Sequence, residues 1–301
     1  MSGEKAGPDG SFASLAELVA LRTRVHARRG LPFARAAGNP GGRVPGRLGR
    51  GMEFAESRPY RAGDDVRSVD WRQTARRGAP FTKLFREEHE RPVHLLVDLG
   101  ASMRFGTRVA FKSVVAARTA ALLAWQAAAD GERVGGIVCG CGRREVRPQA
   151  RQHGALALLR QLAEVSALAP DTASLLASAL AAVTHIVRPG GIAILVSDFH
   201  ALDDMLAHSI AALSLRIDVG LVHVVDPFES SPPPGVYRVS NGERSTTLDL
   251  ESDAGRAAYL APFAARNALL DKLARHPHVR LVTLATHEDP ARALCLLSGT
   301  P

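Results

Sequence analysis

The sequence predicts an α/β protein built on a mainly parallel sheet with helices on both faces. Three observations carry that prediction. Continuous apolar strands recur, as in VHLLV (93–97), GGIAILVSDF (190–199) and IDVGLVHVVD (217–226). Helical patterns alternate with them, and each of the three strands ends at an aspartate, Asp98, Asp198 and Asp226. Strands that are apolar on both sides need cover on both sides, which a parallel sheet wrapped by helices supplies. Ligands of such sheets bind at the carboxyl ends of the strands. Loop acids without a function collect there too, so position by itself is weak evidence.

The elements follow in order. MSGEKAGPDG (1–10) is a polar, frayed tail, and FASLAELVALRTRVHARR (12–29) spaces its apolar positions at three and four, as an amphipathic helix does. GNPGGRVPGRLGRG (38–51) is a glycine-, proline- and arginine-rich loop of low order. Residues 52–91 are dense in charge. A helix over 107–129 follows the first strand, then two strands, RVGGIVC (133–139) and REVRP (144–148), around a glycine turn. Helices are expected at 152–167, 174–187 and 202–214, interleaved with the second and third strands. GVYRVSNGERSTTLDL (235–250) breaks the rhythm, because Asn241-Gly242 between two strand-like runs signals a tight hairpin. A helix over 254–276, the strand VRLVTLA (279–285) and a last helical turn at 290–297 complete the chain. The expected organisation is a tail, helix and loop over 1–51, a charged segment over 52–92 packed on the main domain, and an α/β domain over 93–301.

Composition narrows the class. At 301 residues and 46% hydrophobic content the chain can bury a sizeable core. No run approaches the ~20 apolar residues of a membrane span, and the N-terminus does not read as a signal peptide, so a cytoplasmic protein is expected. The net charge of +8 is uneven: residues 1–91 hold 18 basic against 11 acidic side chains, and residues 92–301 hold 20 against 19. Only four of the 38 basic residues are lysines, which suits planar pairing with carboxylates or phosphates, although compositional bias accounts for it equally. The basic N-terminal third raises nucleic-acid binding as an alternative function. Against it, no aromatic-interleaved basic stripe or helix-turn-helix pattern is present.

Catalytic motifs are scarce. Cys139, Cys141 and Cys295 form neither a disulfide framework nor a zinc quartet, and His185, His200, His208 and His223 show no metal spacing. There is no G-x-S-x-G elbow and no phosphate-binding G-x-x-x-x-G-K-[ST] loop. Gly63-Asp64-Asp65 lacks the surroundings of a polymerase metal site. A cation-dependent hydrolase at Asp98 and Asp198 would need a general base, and none is evident beside them. Asp203-Asp204 suit the start of a solvated helix. No catalytic residue is assigned, and the chain is expected not to be an enzyme.

Two stretches carry a resemblance. VDLGAS (97–102) resembles the first loop of a von Willebrand factor A-type domain, whose D-x-S-x-S motif, later threonine and last aspartate hold a divalent cation. Asp98, Gly100 and Ser102 stand at the loop positions, Asp198 at the last, and Ser174 or Thr172 at the hydroxyl position. Magnesium is the cation this resemblance implies, since it takes six oxygens and keeps several waters. Gly100 supplies no hydroxyl where the pattern has its first serine, so the site is degenerate and the cation optional. Upstream, the text from Gly49 to Gly106 resembles the family catalogued as domain of unknown function fifty-eight. The matching residues are Glu53-Phe54, Arg58, Tyr60, the run Gly63-Asp64-Asp65-Val66-Arg67-Ser68-Val69-Asp70-Trp71, Ala75-Arg76, and Lys83 to Glu87.

The resemblance covers about residues 45–230 and implies a von Willebrand factor A-like fold preceded by this charged insert. It also implies a non-enzymatic, protein-binding adaptor working with a MoxR-type AAA+ ATPase on a client protein. Family members often bear N-terminal membrane helices, which this sequence does not show, so a soluble adaptor is expected. The insert itself admits two roles: a partner surface, or an internal Arg–Asp network with Trp71 and Tyr60 as apolar anchors.

Overall fold

A computed structural model describes residues 10–25, 52–61, 64–87, 91–240 and 245–295, with the side chains of 52–56 and 83–87 left aside. The glycine-rich loop at 38–51, Gly63 and the Asn241-Gly242 turn therefore lie outside the described residues. The chain divides into two compact units, one formed by 39–90 and the other by the remainder.

In the larger unit, α1 (Leu15–Ala20) runs into a 3-10 turn over Leu21–Arg24, shorter within the described residues than the helix expected over 12–29. The smaller unit holds β1 (Met52–Pro59), α2 (Trp71–Arg77) and β2 (Phe81–Glu87). The larger resumes with β3 (Pro92–Asp98), α3 (Lys112–Ala129), β4 (Arg133–Gly140), β5 (Gly142–Ala150) and α4 (Arg151–Ala167). There follow α5 (Leu176–Ile186), β6 (Ile192–Ser197), α6 (Asp204–Ser214), β7 (Asp218–Val225) and the single turn α7 (Pro227–Ser230). The strands β8 (Val236–Ser240) and β9 (Ser245–Asp249), then α8 (Asp253–Ala274), β10 (Val279–Ala285) and a 3-10 turn over Pro290–Leu294 end it.

Six strands form one sheet in the order β10-β7-β6-β3-β4-β5. All neighbours are parallel except the edge strand β5, which returns antiparallel to β4. The late hairpin forms as the sequence predicts, with β8 and β9 antiparallel from Val236–Asp249 to Ser240–Ser245. Alternate residues of the central strands feed two cores. Val93, Leu95 and Val97 pack with α1, α3 and α4, while Leu96, Ala193 and Leu195 pack with α5, α6 and α8. The fold is the α/β arrangement that the sequence predicts, a mainly parallel sheet with helices on both faces.

Helix α3 explains how the first face closes. Sixteen of its eighteen residues are buried, so it is a core helix covered on its outer side as well. That cover comes from α1 and α4: the Trp125 indole N–H donates to Leu18 O at 3.1 Å, and Ala13 N–H donates to Ser166 Oγ at 2.9 Å. The expected start of α3 at 107 is displaced to Lys112. Residues 107–111 are held as a loop instead, with Phe111 N–H bonded to Gly10 O and Lys112 N–H to Phe105 O.

In the smaller unit β1 and β2 pair antiparallel, with a bulge between Phe54 and Glu56. Helix α2 has only seven residues, too few to persist alone. Its ends are fixed by capping: Asp70 accepts from Gln73 N–H at 3.1 Å, and Gly78 closes the C-terminus in the left-handed conformation.

Candidate functional site

Strand register builds the upper rim of the larger unit. Val97 stands opposite Val196, so Asp98 ends β3 level with Ser197 at the end of β6. The chain order switches here, since β4 lies on one side of β3 and β6 on the other, and this is where open α/β sheets place their ligand crevice. The Ser197 hydroxyl donates to Asp98 Oδ2 at 2.8 Å, and Gly100 N–H donates to Oδ1 at 2.9 Å. Both carboxylate oxygens of Asp98 thus face protein donors. Burial nevertheless raises the Asp98 pKa above the usual carboxylate value, with the charge of Asp198 adding to the rise.

Asp198 is 1% exposed and is the hub of the rim. Its Oδ1 accepts from the Ser102 hydroxyl at 3.2 Å and from His200 N–H at 3.0 Å. Its Oδ2 lies 2.8 Å from the ammonium of Lys112, which also reaches Glu229 Oε1 at 2.5 Å. Arg266 donates to the Asp198 backbone carbonyl at 3.0 Å. Burial pushes the Asp198 carboxyl upward, but Lys112 and the His200 N–H outweigh it and leave the pKa lowered. The next residue, Phe199, is buried with φ 51, a left-handed conformation that a non-glycine residue adopts only under local constraint. Its N–H bonds to Ser197 Oγ at 2.9 Å.

Asp226 organises the neighbouring strand pair. It is fully buried and accepts from Thr107 N–H (3.0 Å), the Thr107 hydroxyl (2.6 Å), Phe228 N–H (3.0 Å) and the Thr286 hydroxyl (2.8 Å). These four donors overcome its burial and hold its pKa below the usual carboxylate value. Asp226 and Glu229 form a capping box on α7, with Glu229 Oε2 accepting from Asp226 N–H at 3.0 Å. Glu229 therefore links the two aspartate clusters, one oxygen on Asp226 N–H and the other on Lys112.

The residues proposed for a cation separate into two groups. Asp98, Ser102 and Asp198 converge on the rim. Thr172 and Ser174 lie exposed in the loop before α5, where Ser174 Oγ accepts from Leu176 N–H at 3.4 Å. Neither hydroxyl bonds to Asp98 or Asp198 in the described residues. A divalent ion does not fit the arrangement as folded: its oxygens are committed to protein donors, and an ammonium already sits against Asp198. No group of three or more histidine, cysteine or acidic side chains among the described residues is arranged to hold a metal ion.

The signature residues make a different surface. Arg58 grips Asp64 through two hydrogen bonds of 2.8 and 2.7 Å, and the Tyr60 hydroxyl donates to Asp64 O at 3.1 Å. Asp65 caps the 3-10 turn Val66–Ser68 by accepting from Arg67 N–H at 2.9 Å. Asp70 caps α2 and accepts from the Ser57 hydroxyl at 2.9 Å. Glu53 lies on β1, and Lys83 and Glu87 lie on β2, placed by backbone alone.

The expected anchor Trp71 is a correction. It is 70% exposed, because α2 buries none of its residues. Arg67, Arg72 and Arg76 are also exposed and lack a carboxylate partner among the described residues. Arg77 stacks over Phe81 at 5.3 Å. Among the described residues, the Arg–Asp network anticipated for this segment includes the Arg58–Asp64 pair, joined to helix caps.

Lys112, Glu229, Ser197, Arg266, Thr107 and Thr286 escaped the sequence reading. Lys112 did leave a signal, as one of four lysines in the chain and the first residue of a mostly apolar helix. A cation is disfavoured at a helix N-terminus, so a lysine buried there must have anionic partners. Asp226 and Glu229 also showed the D-x-x-E spacing of a capping box.

Comparison with known proteins places the chain in a family. Uncharacterized proteins of Mycobacterium tuberculosis (strain ATCC 25618 / H37Rv) and Mycobacterium bovis are each 28% identical over 244 residues, 80% of this chain and 77% of theirs. Among solved structures, an aerotolerance-related membrane protein from Bacteroides fragilis is similar at 15% identity and a TM-score of 0.37, over 62% of this chain and all of that one. A von Willebrand factor type A protein from Catenulispora acidiphila is similar at 15% identity and a TM-score of 0.36, over 71% of this chain and 41% of that one. Among the described residues, no helix is long and apolar enough to cross a membrane. The family model described as protein of unknown function DUF58 matches residues 56–268, most of the chain, and the chain belongs to that family.

Proposed function

We propose that this chain is a non-enzymatic adaptor that captures a protein partner through the exposed face of its signature unit. One observation carries the reading: α2 is capped at both ends yet buries none of its residues, and it presents Trp71 at 70% exposure. A short helix held in place by its caps and offering an indole to solvent is built to be covered by something else. Tryptophan and arginine are the residues most enriched among binding hot spots. In the same unit Arg67, Arg72 and Arg76 are exposed and lack a carboxylate partner among the described residues, and Val66 is 63% exposed. The face suits an acidic protein surface with an apolar pocket.

The family resemblance makes a MoxR-type AAA+ ATPase the partner of choice, with a client protein as the object of their joint action. The upper rim supports a non-enzymatic role. Asp98, Asp198 and Asp226 are each buried and engaged by internal donors, which turns no carboxylate outward as a general base. The test is capture of the purified ATPase by the full chain and by Trp71→Ala. Loss of a hot-spot tryptophan weakens binding by about 30-fold or more, equivalent to about 2 kcal/mol. Capture by Trp71→Ala at wild-type strength would exclude this face.

A further inference from the structure

We infer that Lys112 is the resident cation of the upper rim, standing where a domain of this fold would hold a divalent metal. The side chain is 2% exposed and enters from the first residue of α3. Its ammonium contacts Asp198 at 2.8 Å and Glu229 at 2.5 Å, and lies 5.8 Å from the centre of the Phe105 ring. An ammonium has three donors and no acceptor. Two point at carboxylates, and the ring face completes the surroundings of the charge.

The other rim residues connect to this ammonium through Asp198. Asp198 holds Lys112 with one oxygen and orders the Ser102 hydroxyl and His200 N–H with the other. Ser102, a direct metal ligand in the resembled pattern, thus bonds to the carboxylate that binds the ammonium. Asp98 is turned toward Ser197 and Gly100.

Gly100 fits the same scheme. A Cβ at this position would stand 3.0 Å from Asp98 Oδ1, so a serine here would crowd the carboxylate that accepts its own N–H. The missing hydroxyl and the buried lysine are therefore two halves of one arrangement. A divalent ion needs about six oxygens and cannot share this space with an ammonium. The rim keeps its shape without metal, whichever partner the chain captures.

The experiment is titration of the full chain with magnesium and with manganese chloride, followed by calorimetry and thermal melting. For the wild type, no saturable heat and no metal-dependent change in melting temperature are expected. Saturable binding that Asp198→Asn abolishes would overturn the inference. In Lys112→Ala the carboxylates of Asp98, Asp198 and Glu229 lose their counter-charge and gain room. This variant melts lower than wild type, and manganese raises its melting temperature by about 5 °C or more. The rise is absent from Lys112→Ala/Asp198→Asn. A folded Lys112→Ala that ignores both metals would also overturn the inference. Should that variant not fold, the wild-type titration decides alone, since binding there refutes resident-cation status and its absence supports it.

Discussion

Asp226 shows how much one side chain can organise. It joins the loop at Thr107, the turn α7 and the end of β10 at Thr286, using four accepted hydrogen bonds while fully buried. Hydrogen bonds to a charged group are worth about 1.5–3 kcal/mol each, and donors left unsatisfied in the interior add their own cost. Asp226→Ala should therefore lower unfolding free energy by about 3 kcal/mol or more, measured by urea denaturation. A loss under about 1 kcal/mol would mean that the loops do not depend on it. Asp98 and Asp198 differ from it in kind. Asp98 is dominated by burial and carries a raised pKa, whereas the nearby ammonium keeps Asp198 charged. The sequence displayed the three acids identically, each at a strand end, because the donors that separate them come from residues up to 119 positions away.

Among the elements, β4 carries a severe packing constraint. Its register against β5 shifts between Val134 and Gly136, and Gly136 adopts φ 154. A Cβ on Gly136 would lie 1.9 Å from Leu95 O on the adjacent strand β3. Both the conformation and the approach exclude a side chain. Gly136→Ala should cost several kcal/mol and lower the melting temperature by about 10 °C or more, since the strand must move against its neighbour. A variant that melts within about 2 °C of wild type would show that the sheet can give locally. RVGGIVC was legible as a strand, while the need for glycine within it was not. Helix α2 is the opposite case. Its capping aspartate and terminal glycine stand in the sequence, yet its lack of burial, which tells against Trp71 as an apolar anchor, does not.

At the scale of the molecule, two buried histidines link stability to pH. His94 and His223 are 3% and 4% exposed, and burial lowers each pKa to about 4, with Arg266 lowering His223 further. Both are neutral in the native state and regain an ordinary value near 6.5 when unfolded. The unfolded chain then binds protons first as pH falls. Stability is full above pH ~6.5 and declines toward pH ~4, by up to about 3 kcal/mol per histidine. The urea midpoint should fall steadily between pH 7 and pH 4.5, and replacing both histidines by glutamine should flatten that slope. An unchanged slope would assign the pH dependence to other groups. Asp198 and Asp226 lose their contribution only at lower pH, because their folded pKa values are lowered from the carboxylate value.

The sequence by itself determined the α/β class, the alternation of strands and helices, the late hairpin and the family signature. These rest on local periodicity and on residues adjacent in the chain, which a sequence displays directly. Only the tertiary structure decided what the aspartates do. Parallel register brings Asp98 level with Ser197, and α3 delivers Lys112 to Asp198 across 86 positions and to Glu229 across 117. A buried charge is defined by whatever neutralises it, and that partner is chosen by packing and not by proximity along the chain.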